Sequence, residues 1–272
     1  LSGLRGPAGL NRLHAALVEA QGEEEGNRLF RAFGRAFPAG YQERLPARAA
    51  VPDILLMDQL VNAGSERPGM TLYRRLEDRP DILRFKLVRP NQPLYLSDAL
   101  PILENMGLKV LFEEPHRVEA ASGDVFAMHD FGMRVTTSGA VDVDAVRDAF
   151  QDAFARIWEG SAENDGFNRL VLTAGLAADD IVVLRAYCKY ILQLGTPFSQ
   201  NYIENTFTTN PTLAADLASL FNARFDPALS ADRATRTAAL EARIAQGLDG
   251  VASLDEDRIL RRYLGLIKAT LR

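Results

Sequence analysis

The chain has 272 residues, 47% of them hydrophobic, and a formal net charge of −5 at pH 7. This length and apolar content allow one large or two to three small domains with a sizeable core. The acidic balance argues against nucleic acid or an anionic membrane as a partner, and no apolar run is long enough to span a bilayer.

Features of the whole chain predict its compartment and context. Its one cysteine, Cys188, excludes an internal disulfide, and no signal-peptide pattern is present, so we expect a cytoplasmic protein. The sequence starts at Leu1 rather than Met, and an apolar helical stripe still runs at its last residues. We therefore expect a segment of a longer polypeptide.

Residues 1–66 are expected to be helical. Apolar residues recur there at helical spacing, and prolines separate the stripes. The two clearest stripes are Leu10, Leu13, Leu17 and Val18, and Leu29, Phe30, Phe33 and Phe37. Residues 64–69 read GSERPG, a composition that is typical of a linker.

From residue 70 the apolar period changes to two. A short strand is expected near residues 71–74. A second strand alternates, with Leu83, Phe85 and Leu87 on one face and Arg84 and Lys86 on the other. These five positions predict a strand with one apolar and one basic face.

A helix and another strand follow at once. Ser97 is a predicted N-cap, Asp98 favours the helix start, and Gly107 stands where a C-cap requires positive φ. Leu108, Val110 and Phe112 are then expected on one strand face, packed with Leu83, Phe85 and Leu87 beneath the helices. This strand–helix–strand is half of a ferredoxin-like unit.

The second half of that unit contains a strand over residues 125–135 and a helix that begins near Val143. His129 and Asp130 are neighbours on this strand, so they point to opposite faces and cannot form an acid–base pair with each other. The resulting order is β-α-β-β-α, and no final strand is evident after the second helix. An antiparallel sheet with helices on one face is predicted.

The pattern of apolar residues in 161–272 predicts helices only. Ile181, Leu184, Cys188 and Ile191 form a stripe that stops at Gly195. Asn210 followed by Pro211 is expected to open a helix, and Ser253 with Glu256 forms a capping box before the last one. The last helix, from Leu254 onward, is expected to continue past Arg272 in a parent chain and to be frayed here at its C-terminal end.

No catalytic, cofactor-binding or metal-binding residue is predicted. No G-x-G-x-x-G follows a strand, and no G-x-x-x-x-G-K-[ST] occurs. His14, His116 and His129 lack metal-ligand spacing. Cys188 lies on an apolar stripe, which favours a buried structural thiol.

Several stretches of the sequence carry a resemblance to a known family. They are LYRR (72–75), LRFKLVRP (83–90), LSDALPILENMGLKVLFEEPHRV (96–118), HDFGM (129–133), NDGFNRLVLTAGL (164–176), VLRAYCKYILQLGTPFSQNYIENTF (183–207) and NPTLAADLASLFNARFDP (210–227). These stretches resemble the large NAD-specific glutamate dehydrogenases of bacteria. In that family such a stretch lies upstream of the catalytic domain and contains an ACT-like module followed by a helical region.

The resemblance and the residue patterns together predict an α+β chain. It has an N-terminal helical region (1–66), an ACT-like, ferredoxin-like domain with an antiparallel sheet and helices on one face (67–160), and a helical domain (161–272). The helical domain is expected to lead into a catalytic domain that these residues do not include.

The resemblance implies a parent oxidoreductase of amino-acid catabolism. It would convert L-glutamate, NAD and water to 2-oxoglutarate, ammonia and NADH. The catalytic lysine loop and the dinucleotide fingerprint of that enzyme are not found here, so NAD is expected in the parent and no cofactor in this segment. The expected partners are the catalytic domain of the same chain and further copies of the parent.

A role in effector binding would depend on the loop between the first long strand and the first helix of the module. The candidate residues are Arg89, Asn91, Ser97 and Asp98, because a helix N-terminus with a nearby arginine can hold the carboxylate of an amino acid. The loop has no glycine and contains two prolines, which lack amide donors. Three hypotheses therefore stay open: an assembly scaffold, which we favour, an effector-sensing module, and an enzyme with an unrecognised site.

Overall fold

The computed structural model describes residues 4, 6–64, 67–75, 77–136, 141–228 and 232–271. Residues 65 and 66 of the predicted linker lie outside this set. The chain divides into two compact units. One contains the residues up to Asp98 together with Val110–Arg134, and the other contains Ala99–Lys109 together with the residues from Val135 onward.

The first unit begins with helices, as the apolar stripes predict, and the structure describes four of them. Three acidic residues in the first turn of α2 complement the helix dipole. Leu13, Leu17, Leu29 and Phe33 are all buried, so both predicted stripes contribute to the core. The helices are α1 (Gly6–Gln21), α2 (Glu23–Phe33), α3 (Ala39–Arg44) and α4 (Ala47–Ala63).

A four-stranded antiparallel sheet follows. The strands are β1 (Gly69–Tyr73), β2 (Ile82–Pro90), β3 (Leu108–Glu119) and β4 (Val125–Val135). Their order in the sheet is β1-β2-β4-β3. Leu72 of β1 pairs with Phe85 of β2, which pairs with Phe131 of β4. The α+β class with helical flanks is therefore confirmed.

The fourth strand of the sheet comes from the N-terminal side of the module. The sequence showed no strand after the second helix, and none occurs among the described residues beyond Val135. Instead β1 pairs antiparallel with β2 at the sheet edge, where a terminal strand would otherwise lie. A strand that precedes the module thus completes its sheet.

The two faces of the sheet differ in chemistry. Leu83, Phe85 and Leu87 are buried on one face, as predicted. The prediction for Phe112 was wrong, because its ring lies on the other face, 4.6 Å from the Arg84 guanidinium, and is 41% exposed. Gly132 permits this position, since a Cβ there would lie 2.0 Å from the Phe112 ring.

The second unit contains helices from both halves of the chain. Gly107 follows the helix Leu96–Asn105 and has φ +84°, as its predicted C-cap role requires. Asp142 caps α6 by accepting hydrogen bonds from the backbone N–H groups of Asp144 and Ala145. The helices are α5 (Leu96–Asn105), α6 (Val143–Trp158), a 3₁₀ turn (Gly166–Arg169), α7 (Leu170–Ala174), α8 (Ala178–Gln193), α9 (Gln200–Thr209), α10 (Pro211–Phe225), α11 (Arg233–Leu248) and α12 (Leu254–Ala269).

The predicted helix boundaries of this region are largely confirmed. Pro211 opens α10, and Ser253 Oγ accepts the Glu256 N–H at the start of α12. Helix α12 ends at Ala269, and Thr270 is extended. The expected fraying of this helix end stays a prediction. Arg224 donates to the Lys268 carbonyl and satisfies an acceptor of the last turn, which allows the helix to end there.

We predict that Phe85→Ala destabilises the chain by about 3–5 kcal/mol, because the ring is fully buried and its loss leaves a cavity. Phe112→Ala is the matched control, and it should cost clearly less because Phe112 is 41% exposed. Denaturant unfolding measures both. Equal losses for the two variants would contradict the assigned faces.

Candidate functional site

The sequence predicts that any effector would bind at the loop between β2 and α5. The conformation of this loop depends on Asn91. Asn91 has φ +53°, in the left-handed region that glycine usually occupies. Its side chain accepts the Val125 N–H at 2.9 Å and donates to Asp124 Oδ1 at 2.9 Å. The asparagine therefore makes the turn without glycine and anchors the loop to the start of β4.

The loop forms one wall of an open groove of about 680 Å³. The other walls come from β3 and β4 of the same unit. The lining residues are Asn91, Gln92, Pro93, Pro115, His116, Arg117, Val125, Phe126, Ala127 and His129.

The polar side chains that line this groove are the guanidinium of Arg117, the imidazoles of His116 and His129, and the amides of Asn91 and Gln92. Burial lowers the pKa of His116. Arg117 Nε donates to Glu119 at 2.8 Å, and both side chains are largely exposed. His129 Nδ1 lies 2.6 Å from Glu113 Oε1, and both of these side chains are mostly buried. Such groups could orient a small carboxylate-bearing molecule, but their own acidic neighbours compete for the same contacts.

The four residues predicted for effector binding do not converge on this groove. Only Asn91 lines it. Arg89 Nη1 donates to the Pro93 carbonyl at 3.3 Å, within the loop itself. Ser97 lies inside the first turn of α5 rather than capping it, and its hydroxyl donates to Asp98 at 3.3 Å.

Gln92, Arg117 and His129 line the groove and were not among the predicted site residues. The β-strand alternation placed Arg117 and His129 on strand faces, but it could not indicate that the two strands run side by side near the loop. Only the pairing of β3 with β4 brings these side chains together.

The first unit has a strongly buried polar cluster on the sheet face that carries Arg84 and Lys86. Lys86 Nζ donates to both Asp53 oxygens, at 2.7 and 2.6 Å, and the Tyr41 hydroxyl also donates to Asp53. Asp53 lies on α4 and Lys86 on β2, so the ion pair joins the N-terminal helices to the sheet. Both side chains are buried.

The cluster continues along the strands. The Tyr73 hydroxyl and Arg75 Nη2 donate to Asp130 Oδ2 at 2.6 and 3.0 Å. Burial raises the pKa of Asp130 despite these donors and the nearby Lys86. Burial, followed by the adjacent carboxylate of Asp130, also raises the pKa of Tyr73.

A third pair closes this network at its other end. Arg84 donates to Asp78 through Nε at 2.8 Å and Nη2 at 3.0 Å. These hydrogen bonds lower the pKa of the Asp78 carboxyl. Perturbed groups often mark active sites, but here each carboxylate is held by a cation of the same network, so the cluster is better explained as structural.

The second unit has a comparable buried cluster around Arg185. Its guanidinium donates to both Asp165 oxygens at 2.7 and 2.9 Å and to Asn168 Oδ1 at 2.9 Å. Burial raises the pKa of the nearby Glu204. A Cβ at Gly166 would lie 2.4 Å from Glu204 Oε2, so a larger residue in the NDGFNR stretch would have to displace the Glu204 carboxylate.

Neither Cys188 nor a metal centre offers chemistry in the described residues. Cys188 is buried, and burial raises the pKa of its thiol to about 11, which opposes nucleophilic use. Among the residues that the structure describes, no group of three or more His, Cys, Asp or Glu could hold a metal ion. In the same residues, no helix combines the length and hydropathy needed to cross a membrane.

We predict that Asn91→Ala destabilises the first unit by about 1–2 kcal/mol, because alanine resists positive φ and loses both side-chain hydrogen bonds. Asn91→Gly should cost less, since glycine adopts this conformation freely. Thermal and denaturant unfolding compare the two variants. A glycine variant as unstable as the alanine variant would mean that the hydrogen bonds alone determine the loop.

We predict that Lys86→Met costs about 3–5 kcal/mol, because it leaves the Asp53 carboxylate buried without its cation. The double variant Asp53→Leu/Lys86→Met should recover most of this loss. Arg48→Met is a control, since Arg48 pairs with Glu19 at an exposed site and should cost less than about 1 kcal/mol. Additive losses in the double variant, measured by denaturant unfolding, would refute a coupled pair.

Three family models match the chain in sequence order. They are glutamate dehydrogenase helical motif 2 at residues 16–60, the glutamate dehydrogenase ACT3 domain at residues 67–146, and glutamate dehydrogenase helical motif 3 at residues 162–227. The ACT3 match includes all four strands of the sheet. The two helical motifs match the regions on either side of it.

Relatives named NAD-specific glutamate dehydrogenase match nearly the whole chain. The protein of Halomonas elongata is 41% identical over 94% of this chain, and that of Pseudomonas aeruginosa is 42% identical over 94%. The protein of Mycobacterium tuberculosis is 32% identical over 88% of the chain. The chain spans only 16% of the length of the first two relatives and 15% of the third. It belongs to the family of large NAD-specific glutamate dehydrogenases, as the segment upstream of the catalytic domain that comprises helical motif 2, the ACT3 domain and helical motif 3.

Proposed function

We propose that this chain is a non-catalytic assembly and regulatory segment of a cytoplasmic NAD-dependent glutamate dehydrogenase. The parent enzyme converts L-glutamate, NAD and water to 2-oxoglutarate, ammonia and NADH. The segment holds the catalytic domain of the same polypeptide in place and takes part in the assembly of its copies. Its own residues carry no step of the reaction.

The main support for this proposal is that the relatives match 94% of the chain, whereas the chain spans only 16% of their length. The matched portion consists of helical motifs and an ACT3 domain. NAD chemistry in such an enzyme requires a dinucleotide-binding fold with its glycine-rich fingerprint. That fingerprint does not occur in these 272 residues, which favours a location elsewhere in the polypeptide.

The packing of the first unit supports a scaffold role. The Asp53–Lys86 pair and the hydrophobic core join the N-terminal helices to the sheet, so helical motif 2 and the ACT3 domain share one core. Val88, Phe126 and Met128 of the sheet are buried in that core. A closely packed unit of this kind can hold the parts of a long polypeptide in fixed positions.

We predict that the purified 272-residue chain forms no NADH from glutamate and NAD, whereas the full-length enzyme does. Absorbance of NADH measures this, with equal molar amounts of both proteins. Removal of all 272 residues from the full-length enzyme, which divides neither unit, should alter its oligomeric state or effector response, as measured by light scattering and kinetics. Activity of the isolated chain, or an unchanged assembly and response after the deletion, would contradict the proposal.

A second candidate is an amino-acid sensor, which the groove beside Asn91 favours. Arg117 supplies a guanidinium there, His129 supplies an imidazole, and Asn91 and Gln92 supply amides. An amino acid that bound the folded chain would raise its melting temperature. A thermal-shift screen with the common amino acids decides this, with Arg117→Ala to test the groove and Ser97→Ala and Arg89→Ala to test the loop. No shift with any amino acid leaves the scaffold role as the better proposal.

A further inference from the structure

An apolar groove of about 510 Å³ lies on the surface of the second unit. Helices α8, α10 and α12 form its walls. It is lined by Val182, Val183, Ala186, Tyr187, Tyr190, Phe221, Leu266, Ala269 and Thr270. None of these side chains is charged, although α8 also carries Asp179, Asp180 and Lys189.

Helix α8 has apolar residues on two sides, although a helix that packs on one side requires only one apolar face. Its inner stripe, which includes Ile181 and Leu184, is buried in the unit. Its outer stripe is Val182, Ala186 and Tyr190, at i, i+4 and i+8. Val182 and Tyr190 are each 48% exposed. A continuous apolar stripe at an exposed groove is typical of an interaction surface.

The groove has a firm aromatic floor. The Tyr187 ring packs edge-on against Phe221 with centroids 6.1 Å apart, and against Tyr263 at 6.2 Å. The Tyr187 hydroxyl and Thr270 Oγ1 lie 2.7 Å apart and form a hydrogen bond. A preformed floor loses little entropy when a partner binds, which suits a permanent contact.

The walls also restrict the kind of partner. All three walls are helices, whose backbone donors and acceptors are already paired within each helix. An extended segment would bury its own backbone groups there without partners. An amphipathic helix satisfies its backbone internally and can place apolar side chains in the groove.

We propose that this groove receives an apolar helix face from the catalytic part of the same glutamate dehydrogenase polypeptide. The inference rests on the proposed function and names its contact surface. The chain spans only 16% of its relatives' length, so most of such an enzyme lies outside the 272 residues and supplies ample covering surface. Contact within one polypeptide also requires no second copy to cover the exposed stripe.

Thiol labelling at the groove tests the proposal in the full-length enzyme and in the 272-residue chain. Ala186→Cys places a thiol in the groove, and Gln193→Cys places one on the exposed end of α8 outside it. The native Cys188 is fully buried and serves as an internal control for unfolding. Peptide mass spectrometry measures the maleimide labelling rate at each position.

The expected result for the Ala186→Cys variant is labelling at least roughly ten-fold slower in the full-length enzyme than in the 272-residue chain, as burial in a stable contact requires. The Gln193→Cys variant should be labelled equally fast in both proteins. Adding Val182→Glu and Tyr190→Glu to the full-length Ala186→Cys enzyme should restore fast labelling, because both side chains are exposed and the unit should still fold.

Equal labelling of the Ala186→Cys variant in the two proteins overturns the proposal. Slow labelling that occurs only in the concentrated 272-residue chain also overturns it, since a second copy would then be the occupant. If the full-length enzyme produces NADH and the isolated chain does not, either of these results refutes the groove contact while the proposed function stands. If the full-length enzyme has no glutamate dehydrogenase activity, the proposed function itself fails.

Discussion

The buried ion pair between Asp53 and Lys86 is the interaction on which the first unit depends. A strand that alternates apolar and basic residues would normally expose its basic face to water. Here that face is buried, and a lysine ammonium without a counter-charge would be strongly destabilised there. The carboxylate arrives from α4, so the sheet and the N-terminal helices must fold together.

This ion pair connects two segments that are matched by separate family models. Helical motif 2 contributes Tyr41 and Asp53, and the ACT3 domain contributes Lys86. Around the ion pair, apolar residues such as Phe126 and Met128 complete one hydrophobic core with the helices. The boundary at residues 60–67 therefore separates sequence motifs but not cores, which is consistent with a segment that holds parts of a large enzyme in fixed positions.

Two features of the ACT-like sheet and its loop bear on ligand binding. β1 takes the edge position beside β2, and the chain continues after α6 directly into the helical region. Asn91 adopts positive φ in a loop that contains no glycine. Its amide is occupied by Asp124 and Val125, so the loop offers fewer free donors than a glycine-rich loop would. The open groove beside it retains arginine and histidine side chains, and the two features together define what an effector would encounter.

The sequence by itself determined the local elements of this protein. The alternation in β2, the positive φ at Gly107, the buried stripe on α8 and the N-cap of α12 depend on residues within a few positions of one another. Such short-range rules can be read along the chain. The family resemblance likewise depended on continuous stretches rather than on contacts.

Only the tertiary structure decided which residues meet across the chain. The sequence could not show that Asp53 neutralises Lys86 from a distance of 33 positions, or that Phe112 lies over Arg84 rather than beside Phe85. It did not show that β1 would complete the sheet, because strand pairing depends on which edge remains open after folding. The two grooves have the same origin, since each is formed by side chains from separate elements. Their physical basis is long-range burial, in which the free energy of a residue depends on neighbours that its own sequence context does not specify.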